Sequence, residues 1–202
     1  MKNVFFKPWI GEYYDTNKSF FSKKILIVGD SHYGENNGID TYDNFTTEVI
    51  NDYLDPNHSA SWKGTFTKFM NSFVKNTKHE TCSKNKLWSS VSFYNYLQEF
   101  AGNDARLTHE YDYKKDRDFL AFCSVLSSLQ PEVIISWGNN VWDALPRNLG
   151  FGDLSPNNDH SDICFNYPFQ EKTIKVVGIT HPSGGYKSDF FNSVFVDLML
   201  NE

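Results

Sequence analysis

Asp30, His32, Asn95 and His181 stand where short apolar runs of this chain stop. Residues 25–28 are followed by Gly29-Asp30-Ser31-His32-Tyr33, and residues 91–94 by Asn95-Tyr96. Residues 133–137 are followed by Gly138-Asn139-Asn140, and residues 174–179 by Thr180-His181-Pro182-Ser183-Gly184-Gly185-Tyr186. Such a set can hold a negative charge, hydrogen-bond the edge of a flat polar ligand, and present an imidazole near neutral pH. Each member also has an ordinary role. Asp30 suits a turn or a helix N-cap, Asn95 a strand end, and His181 a loop cap.

The four runs are the elements that would position these residues. Three are almost continuously apolar, as strands covered on both faces are, and the second carries Ser92 inside it. Between them the period becomes helical. Phe66, Phe69, Met70, Phe73 and Val74 form one stripe after Ser61, and Phe119, Phe122, Cys123, Leu126 and Leu129 another, stopped by Pro131. A shorter helix is expected over 138–145 and a last one over 189–200, with Phe191, Val194, Phe195, Leu198 and Met199 inward. This alternation predicts an α/β protein, a three-layer α/β/α sandwich around a central four-stranded parallel sheet with right-handed crossovers. In such sheets ligands bind beyond the carboxyl ends of the strands, where all four polar sequences fall. Residues 34–44 and 150–169 are read as loops, the second as a lid or binding loop.

Totals bound the rest. A length of 202 residues fits one domain, with residues 1–24 as an N-terminal extension packed on it. Folding should bury roughly 70% of the unfolded surface, enough to dispense with staples. The three cysteines (Cys82, Cys123, Cys164) form no CxxC and no Cys/His cluster, which argues against zinc, iron–sulfur and a disulfide framework. No metal or cofactor is expected. Without a signal peptide or a membrane-length apolar stretch, a cytoplasmic location, no membrane contact and a monomer are expected. The 18 Phe, 11 Tyr and 5 Trp supply both core and rings that stack on flat partners. The net charge of −6 means that any nucleic-acid surface is a local patch on an acidic body.

The strand-end residues resemble the uracil-DNA glycosylase superfamily. Gly29-Asp30-Ser31-His32-Tyr33 is similar to its glycine-led acidic turn after the first strand, and His181-Pro182-Ser183 matches its last motif. Asn95 at the second strand end fits too, as does Leu129-Gln130-Pro131-Glu132 leading through the third run to Gly138. The likeness runs in order over about residues 25–190. His32 replaces the proline of the first motif, and Gly184 follows His-Pro-Ser in place of another.

That resemblance implies a DNA glycosylase that excises a flipped-out pyrimidine and leaves an abasic site. It implies DNA as partner, in repair or in defence against phage. The altered first motif and the polar segment before the fourth run suit a modified pyrimidine, such as a bulky cytosine derivative in viral DNA, as well as uracil. His181 would donate to the base O2, Asp30 would orient water or stabilise the sugar cation, and Asn95 would read the base edge. Tyr33 would wall the pocket, Phe45, Tyr42 or Phe93 would stack on the base, and His32 could act or only line the wall. Ser183 and Gly184 would approach phosphates, and Tyr186 and Lys187 would wedge into the duplex and touch its backbone. His58, His79, His109 and His160 are read as loop residues without chemistry, and Lys114-Lys115 as a solvated helix start.

Two other readings compete. Gly29-Asp30-Ser31 is also the nucleophile signature of GDS-type serine hydrolases, with Gly138-Asn139-Asn140 like their oxyanion block. Those enzymes place an aspartate three residues before the histidine, where this chain has Gly178 before His181 and Asn157 before His160. A non-catalytic nucleotide- or DNA-binding module is the third reading. The acidic balance favours it, and the joint presence of Asp30, Asn95 and His181 does not.

Overall fold

The structure is a computed structural model, described here for residues 1–34, 43–73, 81–103, 112–113, 115–156, 160 and 162–199. Tyr42, Val74, His79, His109, Lys114 and Asn157, named above, lie outside these residues, as do residues 35–42 of the first expected loop and the last residue of the helix expected over 189–200. The side chains of Cys82, Leu198 and Met199 are not described. Among the described residues there are seven strands in one mixed sheet, and six helices. The strands are β1 (Trp9–Ile10), β2 (Ile25–Gly29), β3 (Val91–Asn95), β4 (Val133–Trp137), β5 (Ser155–Pro156), β6 (Cys164–Phe169) and β7 (Lys172–Ile179). The helices are α1 (Phe45–Leu54), α2 (Lys63–Met70), α3 (Thr81–Trp88), α4 (Asp116–Leu129), α5 (Asn139–Ala144) and α6 (Ser188–Met199).

The sheet order is β1-β3-β2-β4-β7-β6-β5. β2 pairs in parallel with both β3 and β4, and β4 pairs in parallel with β7. β1, β6 and β5 are antiparallel additions at the two sides. The sheet is therefore larger and more mixed than the four strands expected. β6 is a correction within the segment read as a loop. Cys164, Phe165, Tyr167 and Phe169 are buried, while Asn166 and Pro168 are only partly so. Those two residues mask a strand that forms a hairpin with β7 through Gln170 and Glu171, with Gln170 at φ 55°.

Alternation along the strands divides the core in two. Ile25, Ile27, Val133, Ile135, Trp137, Val177 and Ile179 face one side, where Ile50, Phe66, Phe69, Trp88 and Phe195 of α1, α2, α3 and α6 cover them. Leu26, Val28, Ile134, Ile174 and Val176 face the other, against Phe122, Val125 and Leu126 of α4 and Val141 of α5. α4 carries Asp116 and Asp118 in its first turn, favourable to the helix dipole, and ends with Gln130 in the left-handed region before Pro131.

The stripe after Ser61 outlasts its helix. α2 stops at Met70, yet Phe73, in the following turn, still stacks on Phe195 at 4.6 Å. The extension, residues 1–24, enters the sheet through β1. Ser92 Oγ donates to the Trp9 carbonyl at 2.6 Å, and Gln98 Oε1 accepts from the Phe5 and Phe6 amides at 2.8 and 3.1 Å. Among the described residues no helix is long and apolar enough to cross a membrane.

Candidate functional site

Because β2, β3, β4 and β7 share one direction, the residues that follow or close them gather at one edge. Asp30 and Asn95 are held side by side. Register places Gly29 opposite Asn95, and the pairing continues past the strands. Tyr96 N donates to the Gly29 carbonyl at 2.9 Å, and Leu97 N to the Asp30 carbonyl at 3.1 Å. Gly29 is required there: a Cβ on it would lie 2.8 Å from Phe93 Cζ and closer still to Asn95 Oδ1. Asn95 is 5% exposed. Its carbonyl accepts from Gln98 Nε2 at 2.9 Å, and its side-chain amide has no hydrogen-bond partner among the described residues.

Asp30 is half-buried, and burial pushes its carboxyl above the ordinary aspartate range. The Tyr113 hydroxyl, donating to Oδ1 at 2.8 Å, and the nearby Asn140 amide pull the other way. Tyr113 precedes α4, 83 residues away in sequence, and has no motif around it; only a folded chain reveals it.

His181 leaves β7 beside the start of α5. Gly138, at φ 89°, donates its N–H to the Ile179 carbonyl at 2.8 Å, and a Cβ there would press on His181 Cβ at 3.1 Å. The His181 ring meets Trp137 edge-on at 6.0 Å. Ser183 N donates to Nδ1 at 3.2 Å, and Ser183 Oγ lies 2.7 Å from the same atom. A backbone amide can only donate, so Nδ1 is the acceptor and the neutral ring carries its proton on Nε2. Burial lowers the His181 pKa, which keeps the ring neutral at pH 7.

Several predicted contacts are placed elsewhere. His32 is 4% exposed, its Nε2 is 2.9 Å from Thr46 Oγ1, and it packs edge-on against Phe6 and Phe45 at 4.8 and 4.9 Å. Burial lowers its pKa to about 3. Phe45 belongs to this same cluster with Phe6 and Phe100, and Phe93 packs on Phe66, Trp88 and Trp137 in the core. Phe93 thus lies in the interior, and Phe45 is partly exposed with its ring engaged by this aromatic cluster. Tyr33 is partly buried and packs on the α4 side of the core. Ser31 Oγ is buried, with no hydrogen-bond partner among the described residues.

Tyr186 is pinned rather than projecting. It stacks on Phe191 at 4.9 Å, and its hydroxyl meets Ser72 Oγ at 2.5 Å. Ser183, Gly184 and Lys187 are exposed. Phe190, which no motif singled out, is 54% exposed in the first turn of α6.

A shallow cleft between Tyr14, Lys24 and Glu132 opens at the opposite end of the strands and gathers none of these residues. Among the described residues no three His, Cys, Asp or Glu side chains are grouped to hold a metal. Neither a family model nor a curated protein matches the chain.

Proposed function

We propose that the chain is a DNA glycosylase that hydrolyses the N-glycosidic bond of a flipped-out uracil or modified pyrimidine. The supporting observation is the gathering of Asp30, Asn95 and His181 at one end of parallel-paired strands. Two core faces covered by different helices support a three-layer α/β/α sandwich as the frame.

The chemistry follows from the side chains. As the bond from C1′ to the base breaks, its electron pair leaves with the base, and charge collects on the pyrimidine oxygens. The neutral His181, with its proton on Nε2, donates a hydrogen bond to that developing anion. Asp30 faces the sugar, which becomes oxocarbenium-like, and its negative charge stabilises the cation and orients water toward C1′. Among the described residues neither the donating nor the accepting half of the Asn95 amide is engaged, which suits it to the base edge. Exposed Ser183, Gly184 and Lys187 suit contacts with phosphates, and the partner is DNA in repair or in defence against phage.

The hydrolase reading finds less support. Among the described residues Ser31 Oγ has no partner, His32 is turned to Thr46, and His181 Nδ1 is turned to Ser183. A serine nucleophile needs a base within reach.

The test is incubation without metal with oligonucleotides carrying uracil, thymine mismatches and modified cytosines, and with hypermodified phage DNA, followed by alkali. Abasic sites that vanish in His181→Ala and Asp30→Ala are the expected result and identify the base. No abasic sites on any substrate would reject the reading in favour of a binding module.

A further inference from the structure

We propose that Tyr113 is a positioning residue of this site, its hydroxyl, backed by Asn140, holding the Asp30 carboxylate by Oδ1 in one orientation. Three separate parts of the chain converge to do this: the exit of β2, the segment before α4, and the start of α5. Asn140 Nδ2 donates to the Tyr113 hydroxyl oxygen at 3.2 Å, and that hydroxyl donates to Asp30 Oδ1 at 2.8 Å. The direction of the chain is fixed. An amide nitrogen only donates, so the tyrosine oxygen accepts from Asn140 and its own proton goes to the carboxylate.

Burial and the Asp30 charge both raise the Tyr113 pKa, so the hydroxyl keeps its proton throughout the neutral range. Among the described residues Tyr33 acts on it in the same direction. At Asp30 the groups that act are Tyr113 and Asn140, both favouring the ionised form against burial. Without them a half-buried carboxyl tends to take up a proton and lose the charge that a sugar cation needs.

The consequence for rate rests on the glycosylase reading; the hold on Asp30 does not. The experiment therefore has two readouts on the full chain. In the first, the Asp30 carboxyl carbon is titrated by NMR in wild type, Tyr113→Phe and Asn140→Ala. The midpoint is expected to move to higher pH in both variants, further in Tyr113→Phe. A midpoint unmoved in Tyr113→Phe overturns the proposal, whatever the activity. In the second, kcat at pH 7 on the base identified above is expected to fall about tenfold in Tyr113→Phe, with KM unchanged and the acid limb of the rate profile moved upward. A raised KM with an unmoved acid limb would also overturn it. Absence of any glycosylase activity in wild type would reject the function and leave the titration to decide on Tyr113.

Discussion

The backbone N–H of Ser183 meets Nδ1 of His181 at 3.2 Å, and the Ser183 hydroxyl approaches the same nitrogen at 2.7 Å. One tripeptide, His-Pro-Ser, thus sets the tautomer of its own histidine. Pro182 between them is buried and anchors the turn.

Nitrogen NMR of the His181 ring at pH 7 should show an unprotonated Nδ1 and a protonated Nε2. Ser183→Ala removes the hydroxyl and keeps the backbone donor, so the tautomer should persist and activity fall less than tenfold. His181→Ala removes the proposed donor to the base anion, and kcat should fall roughly 100- to 1,000-fold. A protonated Nδ1 in wild type would contradict the arrangement.

His32 predicts acid sensitivity. Its folded pKa is depressed to about 3 by burial, whereas in the unfolded chain it sits near 6.5. The unfolded state therefore binds more protons through this window, and stability falls as pH drops below 6.5. From pH 6.5 to 5 the loss attributable to His32 is about 2 kcal/mol. His181, also depressed by burial, adds in the same direction. Replacing His32 and Thr46 together, His32→Phe with Thr46→Val, removes both partners of the buried hydrogen bond. Its Tm should depend less on pH between 6.5 and 5 than that of wild type. An unchanged slope would show that His32 is not the source.

How much of this was legible in the sequence depends on how local the signal is. The runs in β2 and β4 announced themselves because burial on both faces leaves little room for polar residues. β3 is as buried but carries Ser92, and β7 shows its apolar run from Ile174 although Lys175 and Gly178 are only partly buried. Strand ends follow from strands, so Asp30, Asn95 and His181 could be named as a set. β6 was hidden because Asn166 and Pro168 interrupt its apolar pattern. α1 and α3 carry weaker apolar patterns, with Thr46 and Tyr53 buried in α1 and Leu87 and Trp88 only at the end of α3. His32 illustrates the other limit: its neighbours in sequence mark a site, while its ring is claimed by Phe6 and Phe45, brought in from other elements. Tyr113 is legible only through distance in space.

Asp30 predicts a gain in stability when its charge is removed. Burial raises its folded pKa above 3.8, so the native state holds the proton more tightly than the unfolded chain. Stability from this group is full below the unfolded value and is lost as pH rises through the folded one. At neutral pH the charge is a standing cost. Asp30→Asn keeps an oxygen for the Tyr113 hydroxyl and should have a higher Tm than wild type at pH 7, with a smaller difference at pH 3.5. The same variant should lack glycosylase activity. Equal Tm values at pH 7 would count against the raised pKa.

Gly29 separates site geometry from site chemistry, since it has no side chain to react. Its space is filled by the Phe93 ring and the Asn95 amide, so Gly29→Ala forces Cβ to 2.8 Å from Phe93 Cζ unless something yields. Phe93 is locked among Phe66, Trp88 and Trp137, whereas the Asn95 amide has no hydrogen-bond partner among the described residues. The amide should therefore turn away first. Overpacking of this kind costs about 1–3 kcal/mol, to be read as a lower denaturation midpoint at unchanged m-value. Turning Asn95 removes the proposed base-reading group while leaving Asp30 and His181 in place. KM for the excised base should rise, with discrimination between pyrimidines weakened, and Asn95→Ala should show the same change without the loss of stability. Wild-type discrimination in Gly29→Ala would mean that Phe93 moves instead and that Asn95 is held more firmly than its contacts among the described residues imply.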